Sequence, residues 1–122
     1  MPRGGGCGGR GGGGMLEPLV LAALARQESH GYDLRRTILE MTGGEVPVDV
    51  GGLYRILRRL EDDGFVTSEW AAGEGGPQRR DYRITDAGSA RLAEWSTHLH
   101  ERVRVLSMVT DAIDGTHGTA RS

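Results

Sequence analysis

The chain has 122 residues, of which 37% are apolar and 26% charged, which is typical of a globular protein with one small core. A formal net charge of -2 excludes a protein that is basic overall, and a single cysteine excludes an intramolecular disulfide. No segment approaches the roughly 20 apolar residues that cross a bilayer, and no secretory-type apolar stretch precedes the N-terminal glycines, so we expect a cytoplasmic protein without a membrane partner.

Glycine dominates the first segment, residues 1–14. The contacts that such a segment can make do not offset the conformational entropy that it would lose on ordering. We therefore predict a disordered tail there. From Met15 onward, apolar residues recur at helical spacing, which predicts a first helix with Pro18 in its first turn. A second helix is predicted over YDLRRTILEM (32–41), after a Ser-His-Gly break and before a Thr-Gly-Gly that closes it.

The third predicted helix follows Asp49, a favourable N-cap residue, and ends near Gly64. On a helical wheel, Arg55 lies opposite one apolar stripe, which consists of Val50, Leu53, Leu57 and Leu60. This helix is therefore amphipathic, with one apolar side and one charged side.

The charges of the third helix run against its dipole. Arginines occupy its first and middle turns, and the acids Glu61 to Asp63 crowd its end. A helix that enters a DNA groove by its N-terminal part explains this arrangement, since small residues and positive charge are needed there. Gly51 and Gly52 fit that explanation, because each costs about 1 kcal/mol of helix propensity. The alternative is a core helix with a solvated arginine face.

After this helix the apolar period changes from helical to alternating. FVTSEW (65–70) and RRDYRIT (79–85) predict two strands, joined by a turn-rich segment that forms a hairpin tip. Thr85 is the predicted cap of a long helix over 86–113, and residues 114–122 are expected to fray. Along that helix, apolar residues recur every three or four positions, at Leu92, Trp95, Leu99, Val103, Leu106, Val109 and Ile113.

Three helices, a hairpin and a long helix, in that order, follow the winged helix-turn-helix plan. The predicted fold class is α+β, mostly α, with a winged helix-turn-helix domain over 15–85 and a C-terminal dimerisation helix over 86–113. In this plan the third helix enters a major groove, and the hairpin lies over the flanking backbone. The apolar stripe of the last helix is longer than a three-helix core can cover, which predicts a homodimer.

Four motifs resemble the PadR family of bacterial transcriptional regulators: HGYDL (30–34), GGLYRILRRLEDDGFV (51–66), GPQRRDYRIT (76–85) and DAGSARL (86–92). The resemblance implies a DNA-binding repressor that acts as a homodimer on a pseudo-palindromic operator and is released by a small-molecule effector. Asp81 departs from the family pattern, because an aromatic residue usually stands there. The single long C-terminal helix resembles the short-form subfamily.

The helical wheel and the resemblance together assign roles to individual residues. The predicted DNA contacts are Gly51, Gly52, Tyr54, Arg55, Arg58 and Arg59 on the third helix, and Arg79 and Arg80 on the hairpin. The predicted dimer interface is the stripe from Leu92 to Ile113. By resemblance, Trp95 and Leu99 contact a planar aromatic effector.

Two non-regulatory functions are alternatives to this interpretation. A winged helix can serve as a protein-interaction module, but Arg55 and Arg58 on the third helix disfavour that function. An enzyme is not expected, because no nucleophile has an adjacent base and the N-terminal glycines lack the strand and helix of a nucleotide-binding loop.

A regulator that senses metal or redox state through the Cys7 tail is a further alternative. Only Arg3 and Arg10 lie near that cysteine in sequence, so little would activate its thiol. His98 and His100 are about 200° apart around a helix and cannot share one ion. We therefore expect no cofactor and no metal.

Overall fold

The computed structural model describes residues 13–26, 29–71 and 79–121. The predicted tail with Cys7 is almost entirely outside these ranges, and so is the predicted hairpin tip. Within them the elements are, in chain order, α1 (Gly13–Arg26), β1 (Ser29–His30), α2 (Gly31–Met41), α3 (Val50–Asp62), β2 (Val66–Ala71), β3 (Arg79–Ile84) and α4 (Asp86–Arg121). The chain divides into two compact units, Met1–Leu92 and Ala93–Ser122.

The first unit has the predicted winged helix-turn-helix fold, with a small antiparallel sheet. β2 pairs with β3 from Val66 opposite Ile84 to Ala71 opposite Arg79, and we call this hairpin the wing. β1 adds a third strand on the other side of β3, so the sheet order is β1-β3-β2. The sequence pattern predicted only a break at β1, because two residues are too few to show a strand period.

The core of the first unit lies where α1, α2 and α3 pack together and against the sheet. Its apolar side chains come from every one of these elements, as the periodic patterns predict. Burying each of the larger ones contributes about 1.5–3 kcal/mol. They are Leu16, Val20, Leu21, Leu24, Leu34, Ile38, Val48, Leu53, Leu57, Leu60, Val66 and Tyr82.

α1 begins earlier than the sequence pattern predicts. It starts at Gly13, so Pro18 lies inside the helix and not in its first turn. Proline has no N–H to donate, which weakens the helix there. The turn before Pro18 is nevertheless held in place, since Leu16 and Glu17 are both buried in the first unit.

Local signals at the helix ends are confirmed. Gly43 and Gly44 close α2 with φ of +60° and +79°, and Gly64 follows α3 with φ of +83°. These left-handed conformations are accessible to glycine at little cost. At the start of α3, Asp49 is the N-cap, and its Oδ2 accepts the N–H of Gly52 at 2.8 Å.

The start of α4 is fixed to the turn between α3 and β2. Thr85 Oγ1 donates to the carbonyl oxygen of Gly64 at 2.7 Å and accepts the N–H of Gly88 at 3.0 Å, which confirms Thr85 as a cap. A Cβ at Gly88 would overlap the carbonyl oxygen of Phe65 and approach Ile84 Cγ1 to 2.7 Å. Only glycine therefore allows this close approach.

α4 runs further than the sequence pattern predicts. The pattern predicts that residues 114–122 fray, but the helix continues to Arg121. This extension passes through Gly115 and Gly118, and each glycine inside a helix costs only about 1 kcal/mol. In the part of the chain that the structure describes, no helix is both long and apolar enough to cross a membrane.

A buried carboxylate joins three helices of the first unit. Glu17 of α1 is 4% exposed, and its Oε2 accepts a hydrogen bond from Arg91 Nε of α4 at 2.7 Å. Its Oε1 accepts one from Arg59 Nη2 of α3 at 3.4 Å. A buried charge is costly unless it is paired, so this cluster restrains all three helices.

Removing the charge of Glu17 is expected to destabilise the fold. Glu17→Gln keeps the side-chain shape but weakens two charge-assisted hydrogen bonds, so the free energy of unfolding should fall by about 1.5–3 kcal/mol. The measurement is urea unfolding followed by circular dichroism. Glu101→Gln is the matched control, because Glu101 also pairs with an arginine, Arg104, at 2.6 Å, but both side chains are exposed. Equal losses of unfolding free energy in the two variants would contradict the claim that the buried pairs of Glu17 stabilise the fold more than an exposed pair does.

Candidate nucleic-acid interface

α3 buries one side and exposes the other. Leu53, Leu57 and Leu60 are buried, as predicted, whereas Val50 is 51% exposed because it begins the helix. The predicted contact residues all lie on the accessible side: Gly51, Tyr54, Arg55, Arg58 and Arg59 are exposed, and Gly52 is half-buried. Five of these six residues therefore lie at the surface of the first unit.

The side chain of Arg55 is more exposed than that of Arg59, the other arginine of α3 with an ion pair in the described ranges. The Arg55 side chain is 78% exposed, and its only ion pair in the described ranges is with Asp49, at 4.0 Å. Asp49 is itself 81% exposed in its side chain, so water screens this pair and the pair contributes little. The guanidinium can thus leave Asp49 for an acceptor at hydrogen-bond distance, such as a guanine edge or a phosphate.

The two glycines of the first turn are not required by the fold. Neither has a positive φ. A Cβ at Gly51 would lie 3.4 Å from Asp49 Oδ2 and 3.5 Å from Arg55 Nη1, and both of these atoms end flexible side chains. At Gly52 the nearest atom would again be Asp49 Oδ2, at 3.4 Å. The chain's own packing therefore leaves the glycines unexplained, and a partner that approaches the backbone closely would explain them.

Arg59 differs from Arg55 because it is bound within the protein. Its Nη2 lies 3.4 Å from the buried carboxylate of Glu17. A shallow groove runs along this side of α3, lined by Leu16, Gly52, Arg55, Ile56, Arg58, Arg59 and Asp62. The sequence pattern does not predict that Glu17 pairs with Arg59, because the two residues are 42 positions apart.

Arg80 of the wing is also bound by other side chains of the protein. Its Nε donates to Ser68 Oγ at 2.9 Å, and its Nη2 lies 3.7 Å from Glu61 Oε2. Its guanidinium carbon lies 4.9 Å from the ring centroid of Trp70. The sequence pattern does not predict these three partners; the strand register brings Ser68, Trp70 and Arg80 to one face of the wing. Arg79 begins β3, and its side chain is outside the described part.

Tyr82 lies between the wing and α3. Burial raises the pKa of its hydroxyl, and the charge of Arg80 partly opposes that effect. The hydroxyl therefore stays protonated at neutral pH. Glu61, Tyr54 and Arg58 also influence this group, which places the middle of α3 beside the base of the wing.

A metal centre finds no support in the described ranges. They contain no group of three or more His, Cys, Asp or Glu side chains that could hold an ion. His100 Nδ1 lies 2.8 Å from the carbonyl oxygen of Ser96, four residues earlier in the same helix. Cys7 lies outside the described ranges.

Comparison with known proteins relates the chain to a family. Residues 20–94 match the family described as "Transcriptional regulator PadR-like family". Transcriptional regulator Rv3488 of Mycobacterium tuberculosis is 39% identical over 85 residues, which are 70% of this chain and 76% of that protein. "Probable transcriptional regulator Rv1176c" of the same organism is 33% identical over 80 residues, 66% of this chain and 42% of that protein.

Among solved structures, the chain is similar to Bacillus subtilis PadR in complex with operator DNA, with a TM-score of 0.62 and 27% identity. That similarity covers 66% of this chain and 46% of the other. The chain thus spans less than half the length of Rv1176c and of the B. subtilis protein.

Substituting Gly51 should separate stability from binding. Gly51→Ala is expected to leave the protein folded and to raise its stability by up to about 1 kcal/mol, because alanine favours the helix. The added methyl group should weaken binding to duplex DNA by roughly tenfold, because it holds the backbone away from the duplex. Thermal unfolding and fluorescence anisotropy measure the two effects.

Gly115→Ala is the control, since Gly115 also lies in a helix and a Cβ there meets open space. It should leave DNA binding unchanged. Unchanged binding by Gly51→Ala would show that no close approach occurs at this turn.

Proposed function

The chain belongs to the PadR-like family of transcriptional regulators, and on that premise we propose that it binds double-stranded DNA with sequence specificity through α3. The outward side of α3 carries this proposal. There the first turn is open at Gly51, and the side chain of Arg55 is exposed opposite the buried stripe. The operator complex of the similar B. subtilis protein is a precedent for such an interaction.

The position of Arg55 suits base recognition. Its guanidinium can donate two parallel hydrogen bonds to a guanine edge in a major groove, and such a pair discriminates by about 1–3 kcal/mol. Arg58, one turn further along the exposed side, suits a phosphate, which fixes register without reading sequence. The net charge of -2 does not oppose this, because the duplex responds to the placement of arginines.

A homodimer through α4 is part of the proposal. In the second unit, six large apolar side chains of this helix are exposed: Val103, Val105, Leu106, Met108, Val109 and Ile113. Four of them belong to the predicted stripe, whereas Leu92 and Leu99 are half-buried and Trp95 is buried. The exposed part of this stripe, from Val103 to Ile113, is characteristic of a surface that a partner covers.

A two-fold dimer would carry one α3 into each of two major grooves, about one helical turn or a multiple of it apart, so the operator should be pseudo-palindromic. Such a dimer would cover the promoter region it binds, and we propose repression as the consequence. The proposed site of action is the cytoplasm.

Release by a planar aromatic effector is supported by the resemblance alone. Trp95 is 1% exposed, and its ring makes an edge-to-face contact with His98 at a centroid distance of 6.0 Å. An indole this buried offers no open face for stacking. An effector that uses Trp95 and Leu99 would therefore require a rearrangement of these side chains.

Loss of Arg55 should relax specificity. Arg55→Ala is expected to reduce the preference for a selected duplex over a scrambled one by about 1–3 kcal/mol, because the base contact is lost. Competition binding at fixed salt measures this preference. Arg36→Ala is the matched control, since Arg36 is 72% exposed in its side chain and also pairs with an aspartate, Asp33.

The control should keep the preference of the wild type. If Arg55→Ala lowered the affinity for both duplexes equally, α3 would not read sequence at this position. If no duplex were bound at low salt, a winged helix used for protein interaction would be favoured instead.

A charge in the apolar stripe of α4 should dissociate the dimer. Leu106→Asp is expected to give a folded monomer at micromolar concentration, because a carboxylate is costly to bury without a partner. Size-exclusion chromatography with light scattering measures the mass. Thr97→Asp is the control, as Thr97 is exposed and lies about 180° from Leu106 around the helix. A monomeric wild type would contradict the dimer.

A further inference from the structure

Arg80 is held by partners from two different elements. Glu61 is in the last turn of α3, and Ser68 and Trp70 are on β2. Ser68 Oγ donates to Glu61 Oε2 at 2.7 Å while it accepts from Arg80 Nε at 2.9 Å. The hydroxyl thus bridges the carboxylate and the guanidinium, and all three side chains are partly buried.

The strand register aligns this group. Trp70 is directly opposite Arg80 in the β2–β3 pairing, and Ser68 is opposite Tyr82, so the four residues share one face of the wing. The guanidinium lies over the Trp70 ring at 4.9 Å, a cation-π distance. We call Glu61, Ser68, Trp70 and Arg80 the wing clamp.

The clamp also accounts for an acid that the helix dipole disfavours. Glu61 is near the C-terminal end of α3, where a negative charge is destabilising. In the structure this charge is offset by Arg80 at 3.7 Å and by the hydroxyl of Ser68. The Arg80 side chain is 37% exposed, compared with 78% for Arg55. To neutralise a phosphate, Arg80 would have to give up these partners.

We propose that Arg80 is a positioning residue, which fixes the wing against the end of α3 and does not itself neutralise a DNA phosphate. This inference rests on the proposed function and changes the role that the sequence pattern assigns to Arg80. The clamp sets the distance and angle between α3 and the wing, so that both elements fit one duplex. Its loss weakens binding by releasing the wing, without removing an ionic contact.

The number of phosphate contacts can be read from the salt dependence of binding. The slope of log affinity against log salt falls by about 0.9 for each contact that is lost. The variants are Glu61→Gln, Arg80→Gln and their combination, and the probe is a duplex that the wild-type protein enriches from a random-sequence library. The combined variant is the decisive one, because it removes the clamp without changing net charge.

We expect each of the three variants to bind roughly three- to tenfold more weakly, the size of one net hydrogen bond, with the slope of the wild type. The affinity of the combined variant should be close to that of either single variant and not reduced by the product of the two losses. Both substitutions break the same contact, so their effects do not add. Arg58→Gln is the comparison, and its slope should fall by about 0.9.

Two results would overturn the proposal. One is a slope reduced by about 0.9 in the combined variant, which would identify Arg80 as a phosphate contact. The other is wild-type affinity in the combined variant. If that variant does not fold, Ser68→Ala gives the same test, because it removes the bridging hydroxyl without changing a charge.

The proposed function is tested before any variant is made. A wild-type protein that enriches no duplex would contradict DNA binding itself. A wild type that binds, with variants that keep its affinity, would contradict only the clamp.

Discussion

The burial of one narrow stripe fixes the orientation of α3. Leu53, Leu57 and Leu60 are at most 1% exposed, and turning the helix would bring them into water at about 1.5–3 kcal/mol each. The outward direction of Arg55 and Arg58 is therefore a consequence of core packing. Because the first turn also lacks side chains at Gly51 and Gly52, the helix presents both guanidinium groups and accessible backbone on one side.

The arginines around α3 fall into two groups with different physical roles. Arg59 and Arg80 are engaged by carboxylates of the protein, Glu17 and Glu61, and connect α3 to α1 and to the wing. Among the residues that the structure describes, Arg55 pairs only with Asp49, at 4.0 Å and in an exposed position. Arg59 and Arg80 thus stabilise the packing of α3 within the protein, whereas Arg55 is available to a partner.

Local features of the sequence predicted the fold well. The Asp49 and Thr85 caps, the alternation in β2 and β3 and the apolar periods of the helices all depend on neighbours in sequence, and each is present in the structure. The pattern did not predict β1, which is too short to show a period. It also missed the partners of Glu17, because Arg59 and Arg91 are 42 and 74 positions away and only the folded chain brings them together. Which charges are exposed and which are paired therefore required the structure.

The central claim is that α3 reads DNA sequence, and selection from a random-sequence duplex library tests it most directly. The account predicts enrichment of a pseudo-palindromic sequence with half-sites about one helical turn, or a multiple of it, apart. This duplex should be bound at least about a thousandfold more tightly than a scrambled duplex at physiological salt. Enrichment of no common sequence, with equal affinity for selected and scrambled duplexes, would contradict the account.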